Sequence, residues 1–139
     1  MSDPFVGFRP SPRLNPEGKP RSKKLELELD RPIKDVLMSF SSQSGFEAVF
    51  GKTKKFDFRH GAKLSFTLGE REYRGTISQI NIPKRVIVNT EIHGEIELQF
   101  KAQGASTKIF VKARSFLTEA QLVDWEQSIS ELGQRLQVV

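Results

Sequence analysis

The chain has 139 residues, of which 37% are hydrophobic and 28% charged, and it carries a formal net charge of +5. This balance is typical of one globular domain, and no apolar run reaches the roughly 20 residues of a membrane-spanning helix. The absence of cysteine excludes disulfides, thiolate metal sites and cysteine nucleophiles. Because the first residues lack the basic and apolar regions of a secretory signal, we expect a cytoplasmic protein.

The positive charge is concentrated near the N-terminus. Residues 1–24 hold six cations against two anions, and five of the seven prolines fall within residues 1–22. We therefore predict a disordered, Pro-rich basic arm over residues 1–22, followed by a single domain over residues 23–139. Scattered cations are more typical of a solvated tail than of a nucleic-acid-binding arm.

The domain begins with one strand and two short helices. Leucines alternate with charged residues over 24–29, which predicts a half-buried strand. Pro32 then stands at a plausible helix start, and the apolar stripe that follows predicts a helix over 33–40. A second short stripe over 46–50, closed by Gly51, predicts another helix.

The middle of the chain has the period-two pattern of strands, and its last part returns to a helical period. Short turn signals separate the predicted strands, which indicates an antiparallel meander. After it, apolar residues recur at steps of three and four from Leu122 to Leu136, which predicts a long C-terminal helix. The expected fold is α+β, with a curved antiparallel sheet of about seven strands covered by that helix. The predicted strands of the meander are 53–59, 63–68, 72–80, 85–92, 95–101 and 107–116.

Motifs of catalysis or metal binding are missing from the sequence. The only histidines, His60 and His93, each precede a glycine in a predicted turn, so we expect both to be exposed. Two histidines are too few for a three-histidine metal site, and no phosphate-binding loop or nucleophile elbow occurs. We therefore predict no metal and no cofactor. Tyr73, the only tyrosine, is expected to be a core ring with a hydrogen-bonded hydroxyl.

A basic stretch over residues 52–63 contains Phe56 and Phe58 and superficially matches a nucleic-acid-binding strand. Alternation would turn both rings inward and the charged residues toward water, so the rings could not stack on bases. We do not expect a nucleic-acid partner.

Several stretches resemble one known superfamily. They are residues 30–33 after the first strand, a glycine-led strand pair from Gly75 to Thr90 that turns at Pro83, the hairpin residues 104–109, and Asp124-Trp125 with the spaced aliphatics of the last helix. Together these stretches are similar to the START-like helix-grip superfamily, also called SRPBCC. Within it, they most resemble the branch of activators of heat-shock protein 90 ATPase.

This resemblance implies a sheet that grips the long helix around an apolar cavity. Binding of a hydrophobic small molecule or lipid there is the first functional expectation, and the eleven phenylalanines would supply large rings. A protein-interaction or co-chaperone module is the alternative implied by the branch. A cyclase- or hydratase-like enzyme comes third, since no acid–base set is recognisable. The residues expected to border the cavity, or else to fill a solid core, are Phe46, Phe66, Tyr73, Val88, Leu98, Val111, Trp125 and Ile129.

Overall fold

The computed structural model describes residues 18–82 and 84–139. None of its helices combines the length and the apolar character that crossing a membrane requires, within those residues. The elements in chain order are β1 (Lys19–Leu29), α1 (Ile33–Phe40), α2 (Gln43–Phe50), β2 (Lys52–Thr53), β3 (Lys63–Leu68), β4 (Arg71–Asn81), β5 (Arg85–Thr90), β6 (Gly94–Gln103), β7 (Ser106–Leu117) and α3 (Glu119–Leu136).

The seven strands form one curved antiparallel sheet in the order β1-β7-β6-β5-β4-β3-β2. Consecutive strands from β2 to β7 are neighbours, as expected of a meander, and β1 adds to the far edge by pairing with β7. The predicted α+β architecture is therefore confirmed: a seven-stranded sheet, two short helices after the first strand and a C-terminal helix, consistent with a helix-grip fold.

The long helix α3 covers one face of the sheet. Trp125, Ile129, Leu132 and Leu136 are all buried along one side of it. Its first turn is closed by the Gln121 side chain, whose Oε1 accepts a hydrogen bond from the backbone N–H of Thr118 at 3.0 Å. The apolar spacing that predicted this helix also gives the face that it buries.

Strand β1 begins at Lys19, five residues earlier than predicted. Toward the N-terminus the alternation of leucines ends at Leu25, but the inward positions of the strand continue through Lys23 to Arg21. The Arg21 guanidinium pairs with the Glu119 carboxylate at 2.9 Å. Residues 19–22 therefore belong to the sheet and not to the predicted arm. Residues 1–17 lie outside the described residues, so the arm stays a prediction there. Pro83 also lies outside them, so the turn at Pro83 stays a prediction as well.

The predicted strand over 53–59 is wrong beyond Thr53. Residues 54–62 belong to no strand, although the backbones of Gly61 and Ala62 at the end of this segment exchange hydrogen bonds with that of Ile77 on β4. Phe56 and Phe58 are nevertheless half-buried, with ring centroids 5.8 and 5.7 Å from that of Phe46 on α2. The alternating sequence pattern at Phe56 and Phe58 is therefore produced by a loop whose two rings pack against α2, and not by a strand.

Candidate functional site

Aromatic rings occupy the space between α2 and the sheet. The ring of Phe46 lies 5.4 Å from that of Phe40, 4.9 Å from Phe50 and 6.1 Å from Phe66, measured between centroids. These are ordinary packing distances for aromatic pairs. The region where the sequence suggested an apolar cavity is thus lined with rings that contact one another.

All eight residues predicted to border a cavity are buried and belong to a single hydrophobic core. The structure therefore brings them together, and their role toward a ligand stays a prediction. Two of them also line open grooves at the surface: Trp125 lines one beside α3, and Val111 lines another on the opposite face of the sheet.

The groove beside Trp125 lies between α3 and the turn that joins β5 to β6. We call it the α3 groove; its volume is about 470 Å³. Apolar side chains from three elements contribute to it, and charged or amide side chains supply the rest. The lining residues are Arg71, Glu91, Ile92, Leu117, Ala120, Gln121, Asp124, Trp125, Gln127, Ser128 and Glu131.

The turn that forms one wall of the groove is fixed by hydrogen bonds to Thr90 and Trp125. The Thr90 hydroxyl accepts from the backbone N–H of His93 at 2.8 Å and lies 2.9 Å from its Nδ1. The indole N–H of Trp125 donates to the His93 carbonyl oxygen at 2.9 Å. Because Thr90 bends the chain here, β5 ends at Thr90 and not at the predicted residue 92.

His93 is buried, with 1% of its surface exposed, so its predicted exposure was wrong. The predicted turn does form, over residues 91–93 just before Gly94, but α3 and the Tyr73 ring cover it. Burial, together with the positive charges of Arg135 and Arg71, lowers the pKa of His93 to about 3. His93 is therefore a neutral imidazole near neutral pH. His60 is exposed, as expected.

Tyr73 and Arg135 satisfy the carbonyl groups at the end of α2. The Tyr73 hydroxyl donates to the Phe50 oxygen, and Arg135 Nε donates to the Val49 oxygen at 2.7 Å. Helix C-termini leave such carbonyls without intrahelical partners. Burial also raises the pKa of Tyr73, which keeps the hydroxyl protonated. Tyr73 is thus a core ring with a hydrogen-bonded hydroxyl.

Charge is unevenly distributed in the α3 groove. Among the described residues that line it, Arg71 is the one cation, whereas Glu91, Asp124 and Glu131 contribute three carboxylates. Glu91 Oε1 accepts from the backbone N–H of Arg74 at 2.8 Å, which fixes that side chain to β4. No cluster of three or more potential metal ligands occurs within residues 18–82 and 84–139.

Sequence reasoning missed Arg71, Glu91 and Ile92 as groove residues. They lie at strand ends, and their proximity to α3 follows from the register of the sheet. One local signal was available: a threonine three residues before a histidine, Thr90 and His93, is the spacing of a side-chain-closed turn.

No family model matches the sequence, and no curated protein matches it. Solved structures share the fold at low identity. The solution structure of Bacillus halodurans protein BH1534 has a TM-score of 0.71 at 13% identity, covering 84% of this chain and 94% of that one. CalU16 from Micromonospora echinospora has a TM-score of 0.63 at 22% identity, covering 88% and 80%.

DynU16, described as a putative protein in the dynemicin biosynthetic locus, has a TM-score of 0.68 at 10% identity. The match covers 84% of this chain but only 45% of DynU16, so this chain spans less than half the length of that protein. At these identities the likeness establishes the fold, which is the one that the three solved structures share with this chain.

Proposed function

We propose that the protein binds a hydrophobic or amphipathic small molecule in the α3 groove, between the sheet and the C-terminal helix. The supporting observation is a concave site of about 470 Å³ whose apolar part is formed by Trp125, Ile92 and Leu117. That volume falls within the roughly 300–1,000 Å³ of small-molecule sites, which combine apolar walls with a few polar groups.

The groove is also preorganised. Trp125 is held by its hydrogen bond to the turn at His93, and Thr90 closes the same turn. A site whose walls are already ordered loses less entropy when a ligand binds. The rings around Phe46 fill the deeper space, which favours binding at the groove over binding in the core.

The structural neighbours support a small-molecule role by analogy alone. DynU16 is described as a putative protein of a biosynthetic locus, and we extend an association with small molecules to this chain as part of the proposal. Membership of the START-like superfamily belongs to the same proposal.

Binding can be tested with the neutral apolar dye N-phenyl-1-naphthylamine, whose fluorescence rises in apolar surroundings. Ala120 is exposed and lines the groove, so Ala120→Phe should fill it and weaken dye binding at least tenfold. Val123 is 72% exposed on the same helix and does not line the groove, so Val123→Phe is the matched control.

Equal dye affinity in both variants, or no dye binding to the wild type, would rule out the groove as the site. Native mass spectrometry of the protein purified from cells adds a second readout. An apolar adduct that is present on the Val123→Phe protein and absent from the Ala120→Phe protein would support the proposal and give the mass of the natural ligand.

A protein-interaction role of the heat-shock-ATPase-activator type is a second candidate, favoured by Phe110. This side chain is 36% exposed in the middle of β7, opposite Glu26 and Gln99 on the outer sheet face. It lines a groove of about 450 Å³ on that face. If the role is correct, the protein should stimulate the ATPase of purified heat-shock protein 90, and Phe110→Ser should reduce the stimulation while Met38→Ser does not. An absence of stimulation rejects this candidate.

A further inference from the structure

We infer that the α3 groove selects its ligand by charge and takes an amphiphile that carries an ammonium group in preference to one that carries a carboxylate. The inference rests on the proposed function, since it concerns the same groove. It follows from which charges line the groove and from how those charges are partnered.

Two carboxylates on α3 give the groove its negative character. Asp124 and Glu131 are seven residues apart, so they lie on the same side of the helix, separated by about 10 Å along its axis. Neither forms an ion pair with any residue in the described ranges. Glu131 accepts one hydrogen bond, from the Gln127 amide at 3.2 Å.

The positive groups nearby offset this charge only in part. Arg71 and Glu91 also line the groove with one charge each, so the formal charges of its described lining residues sum to −2. Arg135 interacts electrostatically with Glu131 and keeps its positive charge while its Nε donates to the Val49 carbonyl, but it does not line the groove. The described lining therefore stays net negative and favours a cation.

The start of α3 already carries a negative side chain. Glu119 stands in the first turn, where its charge offsets the partial positive charge of the helix N-terminus. Among the described residues that line the groove, a carboxylate ligand would therefore face three carboxylates, with Arg71 as the one side chain that attracts it.

The apolar part of the groove defines the rest of the ligand. An aromatic or alkyl body would contact Ile92, Leu117 and the accessible part of Trp125, while the ammonium group lies toward Asp124 and Glu131. Exposed charge pairs have modest individual effects, so we expect an ammonium ligand to bind roughly tenfold more tightly than a carboxylate of the same shape.

Energy transfer from tryptophan to a dansyl group tests this directly, because Trp125 is the only tryptophan and lines the groove. The probes are dansyl cadaverine, which ends in an ammonium group, dansyl aminohexanoate, which ends in a carboxylate, and a dansyl amide with an uncharged alcohol tail. We expect affinity to decrease in the order ammonium, alcohol, carboxylate, and the differences to shrink as salt is added.

Asp124→Asn combined with Glu131→Gln should abolish the preference while the alcohol probe still binds. Glu126→Gln is the matched control, since Glu126 is exposed on α3 outside the groove. Equal binding of all three probes to the wild type, or tighter binding of the carboxylate, overturns the charge selection and leaves the proposed function standing. If none of the probes binds, both fail.

Discussion

The indole N–H of Trp125, in the middle of α3, donates a hydrogen bond to the backbone carbonyl of His93 in the turn between β5 and β6. The two residues are 32 positions apart, and both are buried. This single bond joins the covering helix to the sheet at the wall of the α3 groove.

Replacing Trp125 by Phe tests the strength of that connection. A smaller phenyl ring replaces the buried indole, and the His93 carbonyl is left without its donor, which together should lower the free energy of unfolding by at least about 2 kcal/mol. Urea denaturation followed by far-UV circular dichroism measures the change. Val123→Ala on the exposed side of α3 should stay within about 0.5 kcal/mol of the wild type. Equal losses of unfolding free energy in the two variants would contradict the stabilising role assigned to the bond between Trp125 and His93.

Acid should destabilise the protein through His93. Its pKa is lowered in the folded state, so between pH 7 and 5 the unfolded chain binds a proton at this residue and the folded chain does not. The free energy of unfolding should therefore fall by about 2 kcal/mol over this interval. Glu47, whose pKa is lowered mainly by the backbone N–H of Thr53, acts only at lower pH.

Two asparagine variants separate this effect from general acid sensitivity. His93→Asn should lose most of the pH dependence between pH 7 and 5, although it starts from a lower stability. His60→Asn should retain the full wild-type dependence, because His60 is exposed. A pH dependence that survives in His93→Asn would show that another group is responsible.

Tyr73→Phe should affect stability and not ligand binding. The variant removes the donor to the Phe50 carbonyl at the end of α2, which costs about 1–2 kcal/mol of the free energy of unfolding. The affinity for N-phenyl-1-naphthylamine should be unchanged, since Tyr73 does not line the α3 groove. Loss of dye binding at unchanged stability would instead place the hydroxyl in a binding site.

Two helical glycines should respond differently to alanine. A Cβ at Gly45 would lie 1.9 Å from the backbone oxygen of Ser39, so α1 and α2 would have to separate. We expect Gly45→Ala to cost about 2–3 kcal/mol of stability.

At Gly133, a Cβ would meet only the Cδ1 of Leu25, at 2.8 Å, and that flexible side chain can move. The gain in helix propensity offsets this contact, so Gly133→Ala should change stability by less than about 1 kcal/mol. Thermal or urea unfolding of the two variants side by side provides the comparison, and similar losses at both sites would argue against the close approach of α1 and α2.

The elements that could be predicted from sequence are those whose burial follows a regular period. The predicted strand over 63–68 matches β3, the predicted helix over 33–40 matches α1, and the steps from Leu122 to Leu136 mark the face that α3 turns to the sheet. In these elements local pattern and tertiary packing favour the same structure.

The failures have local causes that a pattern cannot reveal. Phe56 and Phe58 alternate as in a strand, yet they pack as loop rings against Phe46. Lys23 and Arg21 interrupt the apolar alternation of β1, although the hydrogen-bonded ladder to β7 continues through both. His93 follows the rule for an exposed turn, and only the position of α3 buries it.

The groove could not be predicted from sequence, because the residues that line it are far apart in the chain. The α3 groove is made from four separate parts of the chain, the start of β4, the turn after β5, the end of β7 and α3. Of the eight residues expected around a cavity, Trp125 alone lines this groove. Large apolar residues indicate a core from sequence, but a groove forms where the packing of those residues ends.

The pairing of β1 with β7 has a consequence for how the protein is made. Arg21 on β1 pairs with Ser115 on β7, which lies 94 positions later, so at roughly 5–20 residues per second β1 leaves the ribosome about 5–20 s before its neighbour in the sheet exists. During that interval its leucines have no partner. The charged residues that alternate with them, Lys24, Glu26 and Glu28, keep one side of this segment hydrated and discourage premature association. Although β1 is the first of the described strands to be synthesised, it is thus among the last to take its place in the sheet.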